Sequence, residues 1–400
     1  EMLRSLVGSE MCIRDSKQAA RLLSTNCNEM SKWNDGGMQI PHHLLPHDGR
    51  FGSGPAKIRD EALAYLASRN DLLGTSHRRP PVRELVGDVQ AMLAELYAMP
   101  DGYQVVLGNG GASAFWDIAA CSLIERRASH AVFGEFSRKF AQETANAPFL
   151  DKPDVVEAPA GSIVLPELTG ADVMAWPHNE TSTGAMAPVR RLGDGLMLVD
   201  GTSAAGGANV DLTQTDAYYF SAQKGFSGDG GMWLAFLSPA ALERAEAIAQ
   251  TGRWLPGILN LRAAAKQSSK QQTVNTPSVA TLLLLQAQLR WMLELGGMEA
   301  IDARCRRNTS IVYDWAEQHS FARPFVENPD ERSTVVATIE LDESIDSAFL
   351  ISQLRDNGIV DVDPYRGVGR NQLRIAGFPS ISPEDVEALV NCLNFLIERI

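Results

Sequence analysis

The sequence predicts an α/β protein: a large domain built on a mostly parallel seven-stranded sheet flanked by helices, then a smaller α+β domain. Three observations predict it. Between residues 104 and 237, seven short apolar runs alternate with turns and helical stretches, the pattern of a sheet covered by helices. Beyond residue 278 the pattern changes to long helices with few strand-like runs. At 400 residues and 43.5 kDa the chain exceeds one typical domain. The expected organisation is a foreign or disordered segment at 1–16, an arm at 17–50, a large domain at 51–297 and a small domain at 298–400.

Composition excludes several classes. A hydrophobic content of 44% and a charged content of 21% are ordinary for a globular chain. The net charge of -13 argues against a nucleic-acid surface. No apolar run approaches the roughly 20 residues of a membrane span. The five cysteines, Cys12, Cys27, Cys121, Cys305 and Cys392, are scattered without paired spacing. That fits a reducing cytoplasm and offers no zinc pattern.

Residues 1–16 lack the apolar core of a secretory signal. Ser5 to Ser16 resembles sequencing-adapter read-through, with a native disordered terminus as the alternative. Pro41-His42-His43-Leu44-Leu45-Pro46-His47 follows. Its prolines disfavour a helix that would align the histidines, and no cysteine or carboxylate cluster joins them, so an extended arm is expected rather than a metal site. Phe51 to Ala56 reads as a flexible loop, Arg59 to Ser68 as a short helix, and Gly74 to Pro81 as a loop carrying His77, Arg78 and Arg79. Leu85, Val89, Met92, Leu93 and Leu96 give Val82 to Tyr97 the spacing of an amphipathic helix.

The seven predicted strands are Gln104–Leu107, His130–Phe133, Asp154–Val156, Val173–Trp176, Leu196–Val199, Ala217–Phe220 and Met232–Leu237. Ser278–Leu295 and Met298–Glu317 read as long helices broken at Gly296-Gly297. Val335–Ile339 reads as a strand and Ser347–Asp356 as a helix, and Arg374-Ile375 is expected just after a further strand. Ser382-Pro383 opens a last helix, with Ser as cap and Pro at the first position.

Chemistry concentrates where the apolar runs stop. The run Tyr218-Tyr219-Phe220 leads through Ser221-Ala222-Gln223 to Lys224, followed by Gly225, Ser227, Gly228, Gly230 and Gly231. An ammonium buried at a strand end is costly, yet burial lowers its pKa and suits an amine that must form a Schiff base. About two dozen residues upstream, Leu196 to Val199 ends in Asp200. A strand-end Lys that carries an aldehyde as an imine, and a strand-end Asp that keeps a pyridine nitrogen protonated, meet the needs of pyridoxal 5'-phosphate (PLP). Asp200 alone could equally cap a turn. Gly108 to Ser113 follows the first central strand and could bring backbone N–H groups to a phosphate at a helix N-terminus, or be a plain turn. Phe136 could stack on a cofactor or belong to the core. Asn179 to Gly184 offers hydroxyls at the sheet end. Arg78 with Arg79, and Arg366, Arg370 and Arg374, suit an anionic substrate.

Together these residues resemble the phosphoserine aminotransferases, PLP enzymes of fold type I and aminotransferase class V, most of all their actinobacterial variety. The carriers are the Phe51–Pro55 loop, Ser76-His77-Arg78, Gly110-Gly111, Asn179-Glu180-Thr181, Asp200, Ser221-Ala222-Gln223-Lys224, Asn275-Thr276-Pro277, and Arg366 with Arg374. The resemblance implies that Lys224 holds the cofactor and moves the proton, and that Asp200 pairs with the ring nitrogen. It implies that Ala112 and Ser113 amides hold the phosphate, Phe136 stacks on the ring, and Thr181 and Gln223 contact the cofactor. Asn275 and Thr276 would reach the phosphate in a neighbouring subunit, making a homodimer with shared sites. His77, Arg78 and Arg366 would bind the substrate's phosphate or distal carboxylate, and Arg374 its α-carboxylate. The implied reaction converts 3-phosphohydroxypyruvate and L-glutamate to O-phospho-L-serine and 2-oxoglutarate. Two features depart from relatives: Ala112 stands where some place Arg, and the Arg366–Arg374 loop is longer. The alternatives are another class V enzyme, such as a different transaminase or a cysteine desulfurase, and a non-catalytic binding protein of the same fold. Desulfurases place His before the Lys where this chain has Gln223, and they need a mobile Cys, whereas Cys305 falls in a predicted helix. A non-catalytic binder would have lost Lys224 or Asp200.

Overall fold

The computed structural model describes residues 37–367 and 369–400. The readings of residues 1–16 and of 17–36 lie outside the described residues. The body described below spans Ile40–Ile400.

Seven strands form the central sheet: β1 (Gln104–Asn109), β2 (Ala128–Val132), β3 (Asp154–Glu157), β4 (Val173–Pro177), β7 (Leu196–Asp200), β8 (Ala217–Ser221) and β9 (Met232–Leu237). They are the seven expected runs. A short hairpin, β5 (Asn179–Glu180) with β6 (Ala185–Met186), interrupts the numbering and was not expected from the sequence. The sheet order is β1-β9-β8-β7-β4-β2-β3. Only β9 runs against the others, pairing antiparallel with β1 and β8, while β8-β7-β4-β2-β3 is parallel throughout. Strands β2, β4, β7, β8 and β9 are buried at every residue, which is why they read as continuous apolar runs rather than as alternation.

The helices are α1 (Asp60–Ser68), α2 (Pro80–Leu96), α3 (Ala112–Ser122), α4 (Glu135–Asn146), α5 (Pro239–Gln250), α6 (Leu261–Ser268), α7 (Val279–Glu294), α8 (Gly297–Glu317), α9 (Ser347–Asp356) and α10 (Pro383–Ile397). Helix α2 starts earlier than its apolar spacing suggested, because Pro80 and Pro81 occupy its first turn, where the missing N–H has no helical acceptor anyway. Helices α7 and α8 break at Gly296 and Gly297, both at positive φ (117° and 73°), which glycine adopts without the Cβ clash. Ser382 caps α10, its hydroxyl accepting from the Asp385 N–H at 3.0 Å.

Two expectations need adjustment. The arm is not wholly extended: His42–Leu44 form one 3-10 turn, closed by the Leu44 N–H on the Pro41 carbonyl. Arg374 and Ile375 do not follow a strand but lie inside β12 (Gln372–Ala376). With β10 (Ala322–Pro324) and β11 (Val336–Leu341) it makes a three-stranded antiparallel sheet, order β10-β11-β12. Three-residue β10 is too short for a periodicity signal. On this change of architecture we propose a boundary between large and small parts at residue 297.

The core between sheet and helices is aromatic. Phe115 on α3 stacks on Tyr219 at 4.4 Å and meets the Trp233 ring edge-on at 5.4 Å. Trp233 pairs in register with Gly108, and a Cβ there would lie 2.6 Å from its ring. Gly108→Ala should therefore cost about 1–3 kcal/mol by overpacking, lowering the urea midpoint at unchanged slope. An unchanged midpoint would show that this contact is loose.

Candidate active site

The strand ends deliver the functional groups. Six of the seven strands of the main sheet point their carboxyl ends the same way, and ligands of such sheets sit at those ends. Asp200 is the last residue of β7, and Lys224 follows the neighbouring β8. Both line a cavity of about 300 Å³ together with Gly111, Ala112, Ser113, Trp116, Phe136, Asn179, Thr181, Thr202 and Gln223. The sequence had named most of these.

Lys224 is 9% exposed, and its Nζ donates to the Ser53 carbonyl at 2.9 Å. Burial, helped by the nearby Arg374 charge and opposed by Asp200 and Glu180, lowers its pKa from 10.5 to about 8. Gly54 must be small here: a Cβ would lie 2.5 Å from the Lys224 Nζ. Asp200 is equally buried. Its Oδ1 accepts from the Thr202 N–H at 2.9 Å and its Oδ2 from the Trp116 indole at 3.0 Å. Burial raises its pKa, and the Thr202 hydroxyl and N–H together with the Trp116 indole hold the rise in check.

Two helix N-termini face the same space. Helix α3 opens at Gly111, with Ala112 and Ser113 in its first turn, where N–H groups have no helical acceptor. Gly110 just before it stands at φ 116° and ties its N–H to the Gly231 carbonyl at 2.9 Å. Helix α4 carries Phe136, whose ring centroid is 5.8 Å from the Lys224 Nζ. A buried carboxylate, Glu180, clamps this helix start: it accepts from the N–H groups of Phe136 (3.3 Å) and Ser137 (2.9 Å) and from both neighbouring hydroxyls, Ser137 and Ser182. Two buried polar atoms on the wall have no partner: Gln223 Oε1 and Asn179 Oδ1. Buried polar atoms are rarely left so unless something else satisfies them.

A second cavity of about 390 Å³ shares Gly54, Pro55, Phe136, Thr181 and Lys224 with the first, and adds Tyr365, Arg366 and Arg374. Arg374 projects from β12, its Nη1 donating to the Thr181 carbonyl at 3.3 Å, while its Nε is buried without an acceptor. Tyr365 packs edge-on against Phe136 at 5.6 Å, accepts from Lys139 Nζ at 3.2 Å and lies under the Arg374 guanidinium. Arg370 points elsewhere: it pairs with Glu340 and lies 4.8 Å from the Phe325 ring centroid.

Four predicted residues do not line either cavity of their own chain. Thr276 Oγ1 meets His77 Nδ1 at 3.3 Å, and Arg78 donates to Gln272 Oε1 and to the carbonyls of Thr273 and Val274. His77, Arg78, Asn275 and Thr276 thus form a separate group, moored near the α3 loop by the Asn109 amide on the Thr276 carbonyl (2.7 Å). The sequence reading missed Trp116, Tyr365 and the clamp made by Glu180. The first was accessible, since Trp116 falls one helical turn after Ala112, on the same face.

Comparison with known proteins agrees with this geometry. Residues 167–361 match the family model described as aminotransferase class-V. A phosphoserine aminotransferase of a Nocardioides species is 51% identical over 370 residues, 91% of this chain and 99% of that one. The phosphoserine aminotransferase structure from Cytophaga hutchinsonii superposes with a TM-score of 0.81 at 22% identity, covering 88% of this chain and 99% of its own. A PLP-bound phosphoserine aminotransferase from Trichomonas vaginalis gives 0.75 at 20% identity, over 87% of this chain and 100% of that one.

The Lys224 environment makes a pH prediction. An unfolded lysine keeps its proton to about pH 10.4, whereas folded Lys224 releases it near pH 8. The unfolded chain therefore binds the extra proton between those values, and apoprotein stability relative to Lys224→Met should rise across that window. Amine acylation of Lys224 in the apoprotein should show a midpoint near pH 8. A midpoint above 10 would mean an exposed ammonium.

Proposed function

The chain belongs to the phosphoserine aminotransferase family of class V aminotransferases and has the fold type I architecture; from this premise we propose that it transfers the amino group of L-glutamate to 3-phosphohydroxypyruvate, giving O-phospho-L-serine and 2-oxoglutarate. The observation that carries the reading is the convergence of a buried lysine of lowered pKa, a buried aspartate and two cavity arginines at one sheet end.

The residues fit PLP. The cavity holds an acid at one side, free helix N–H groups at another, an aromatic ring, and unpartnered polar atoms between them. When bound, PLP supplies an aldehyde carbon for the substrate amine and an electron-withdrawing ring. The N–H groups of Ala112 and Ser113 would hold its phosphate, favoured by the helix dipole. Asp200 would keep the ring nitrogen protonated, and Phe136 would cover the ring face. Thr181 and Gln223 would satisfy the remaining polar atoms. Lys224 Nζ would anchor the cofactor at rest and, when free, move the proton at the substrate Cα. With a pKa near 8, it can both accept and return that proton close to neutral pH. Arg374 would orient the α-carboxylate with a guanidinium that has a free buried Nε, and Arg366 would meet the distal phosphate or carboxylate. Because glutamate and the phosphorylated keto acid use the same arginines in turn, the exchange would be ping-pong.

The desulfurase reading loses support. Gln223 stands before the lysine, and Cys305 is fully buried inside α8, where burial pushes its thiol pKa far up. A non-catalytic binder would not keep Lys224 and Asp200 on one cavity. Among the described residues no helix is long and apolar enough to cross a membrane. Cys121, Cys305 and Cys392 are free, which supports a reducing, cytoplasmic setting.

We further infer a homodimer with shared sites, since His77, Arg78, Asn275 and Thr276 group together outside their own chain's cavities. A second copy would present them to this site's phosphate end.

Incubation with phosphohydroxypyruvate and glutamate should yield phosphoserine; no product would end the assignment. Arg366→Ala should raise the KM for phosphohydroxypyruvate at least tenfold more than that for an unphosphorylated analogue, about 1.4 kcal/mol of selective binding. Equal effects would remove Arg366 from phosphate reading. Mixing Lys224→Ala protein with an Asn275→Ala/Thr276→Ala protein after dissociation and reassociation should restore activity, because one site of each mixed dimer carries neither defect. Activity remaining at the sum of the parents would place those residues in their own subunit's site.

A further inference from the structure

Asp200 is useful only as an anion, yet it is 7% exposed and its neighbours do not all favour that form. Glu180 and the fully buried Tyr218 and Tyr219 stand near it, and none supplies positive charge. His130, which borders a small void shared with Asp200, is kept neutral by burial, its pKa about 3. Lys224 is the cation of the site, joined by Arg374, which repels it. Lys224 also gives up its charge near pH 8. Among the described residues no arginine or lysine forms an ion pair with Asp200, and its hydrogen bonds come from Thr202 and Trp116. What the carboxylate has instead is neutral donors: the Thr202 N–H on Oδ1 and the Trp116 indole N–H on Oδ2, with the hydroxyls of Thr202 and Tyr219 beside them.

These donors differ in kind. The Thr202 N–H belongs to the backbone turn leaving β7 and comes with any sequence at that position. The indole reaches across from α3, the helix whose first turn lines the phosphate end of the cavity. Trp116 is itself buried, at 7% exposure, and its ring is fixed by near-parallel packing on Phe140, 6.1 Å away and 16° off parallel. An indole has one donor and no acceptor, so it can only stabilise the charged form and cannot reverse its role, as a hydroxyl could. A carboxylate accepts about four hydrogen bonds. The Thr202 N–H on one oxygen and the indole on the other set its plane, and the carboxylate lines the cavity where a ligand group would meet it.

We propose that Trp116 is a positioning residue for the reaction, whose indole N–H holds Asp200 ionised and in the orientation that receives the cofactor's ring nitrogen. The proposal rests on the PLP reading above. Through α3 it also joins the two ends of the cofactor site: one helix presents its N-terminus to the phosphate and, a turn later, a donor to the acid at the far end of the ring.

The test measures PLP affinity for the apoprotein against pH, by quenching of protein fluorescence, so that turnover is not needed. Trp116→Phe keeps the ring and removes the donor. A hydrogen bond to an ionised group contributes enough to move a carboxyl pKa by about one unit. The acidic limb of the affinity profile should therefore move up by about one pH unit, and affinity at pH 7 should fall severalfold. Trp116→His, which restores an N–H donor, should bring the limb back toward its original position. A limb unmoved in Trp116→Phe, or displaced as far in Trp116→His, overturns the proposal. If Trp116→Phe does not fold, the intact apoprotein decides: its Trp116 indole N–H resonance should shift with the midpoint of that limb, and an invariant resonance overturns the proposal. Asp200→Ala separates this outcome from failure of the PLP reading. If it abolishes the limb while Trp116→Phe leaves it in place, only the role of Trp116 falls. If the limb survives in Asp200→Ala, the assignment of Asp200 itself falls, and the proposal with it.

Discussion

Much of this molecule follows from placing an amine and a carboxylate, both buried, at the ends of two adjacent parallel strands. β7 and β8 pair in register through Asp200 and Tyr219, so Asp200 and Lys224 leave the sheet side by side and on the same edge. Burying either group alone would be expensive. The cost is met locally: Asp200 by neutral donors from Thr202 and Trp116, Lys224 by the Ser53 carbonyl and by the approach of its charge to neutrality near pH 8. Small residues around Lys224 are part of the same constraint. A side chain at Gly54 would strike its Nζ, and one at Gly225 would lie 2.4 Å from the Ala205 carbonyl oxygen.

A second buried acid has a different task. Glu180 faces the start of α4, and its oxygens accept from the N–H groups of Phe136, Ser137 and Ser182 and from two serine hydroxyls. An anion at a helix N-terminus is stabilised by the helix dipole and by the orphan N–H groups. Here that interaction seats Phe136 against the cavity. Gly134 is required beside it, because a Cβ there would lie 2.3 Å from the Glu180 side chain. The two helix starts thus use the same physics for opposite ends: α4 takes its anion from the chain, and α3 leaves its N–H groups open.

The C-terminal sheet completes the mouth. Strand β12 brings Arg374 within reach of the Thr181 carbonyl, and the loop before it places Tyr365 between Phe136 and Arg374. Two regions far apart in sequence therefore define one opening, in which Lys224, Arg366 and Arg374 stand beside Asp361 and Asp363. His77, Arg78, Asn275 and Thr276 stand apart from that opening, a placement that makes sense if each site is assembled from two chains.

The fold class, all seven strands of the main sheet and the meeting of Asp200 and Lys224 on one cavity were legible from the residues alone. Buried parallel strands are continuous apolar runs, and the polar residue that ends such a run is conspicuous. The sequence also singled out Arg366 and Arg374, and both line the second cavity. It did not reveal β10 or the β5–β6 hairpin, because two or three residues carry no periodicity. Only the tertiary structure decided that Arg370 pairs with Glu340 instead of joining the site, and that Trp116, apolar and helical like any core residue, turns its one polar atom toward Asp200. Only it, too, put Arg78 outside the cavity that Arg366 lines in the same chain, although the resemblance implied one substrate group for both. Direction is the reason: composition and spacing show which side chains a segment offers, whereas the angle at which helices and strands cross decides which atoms meet.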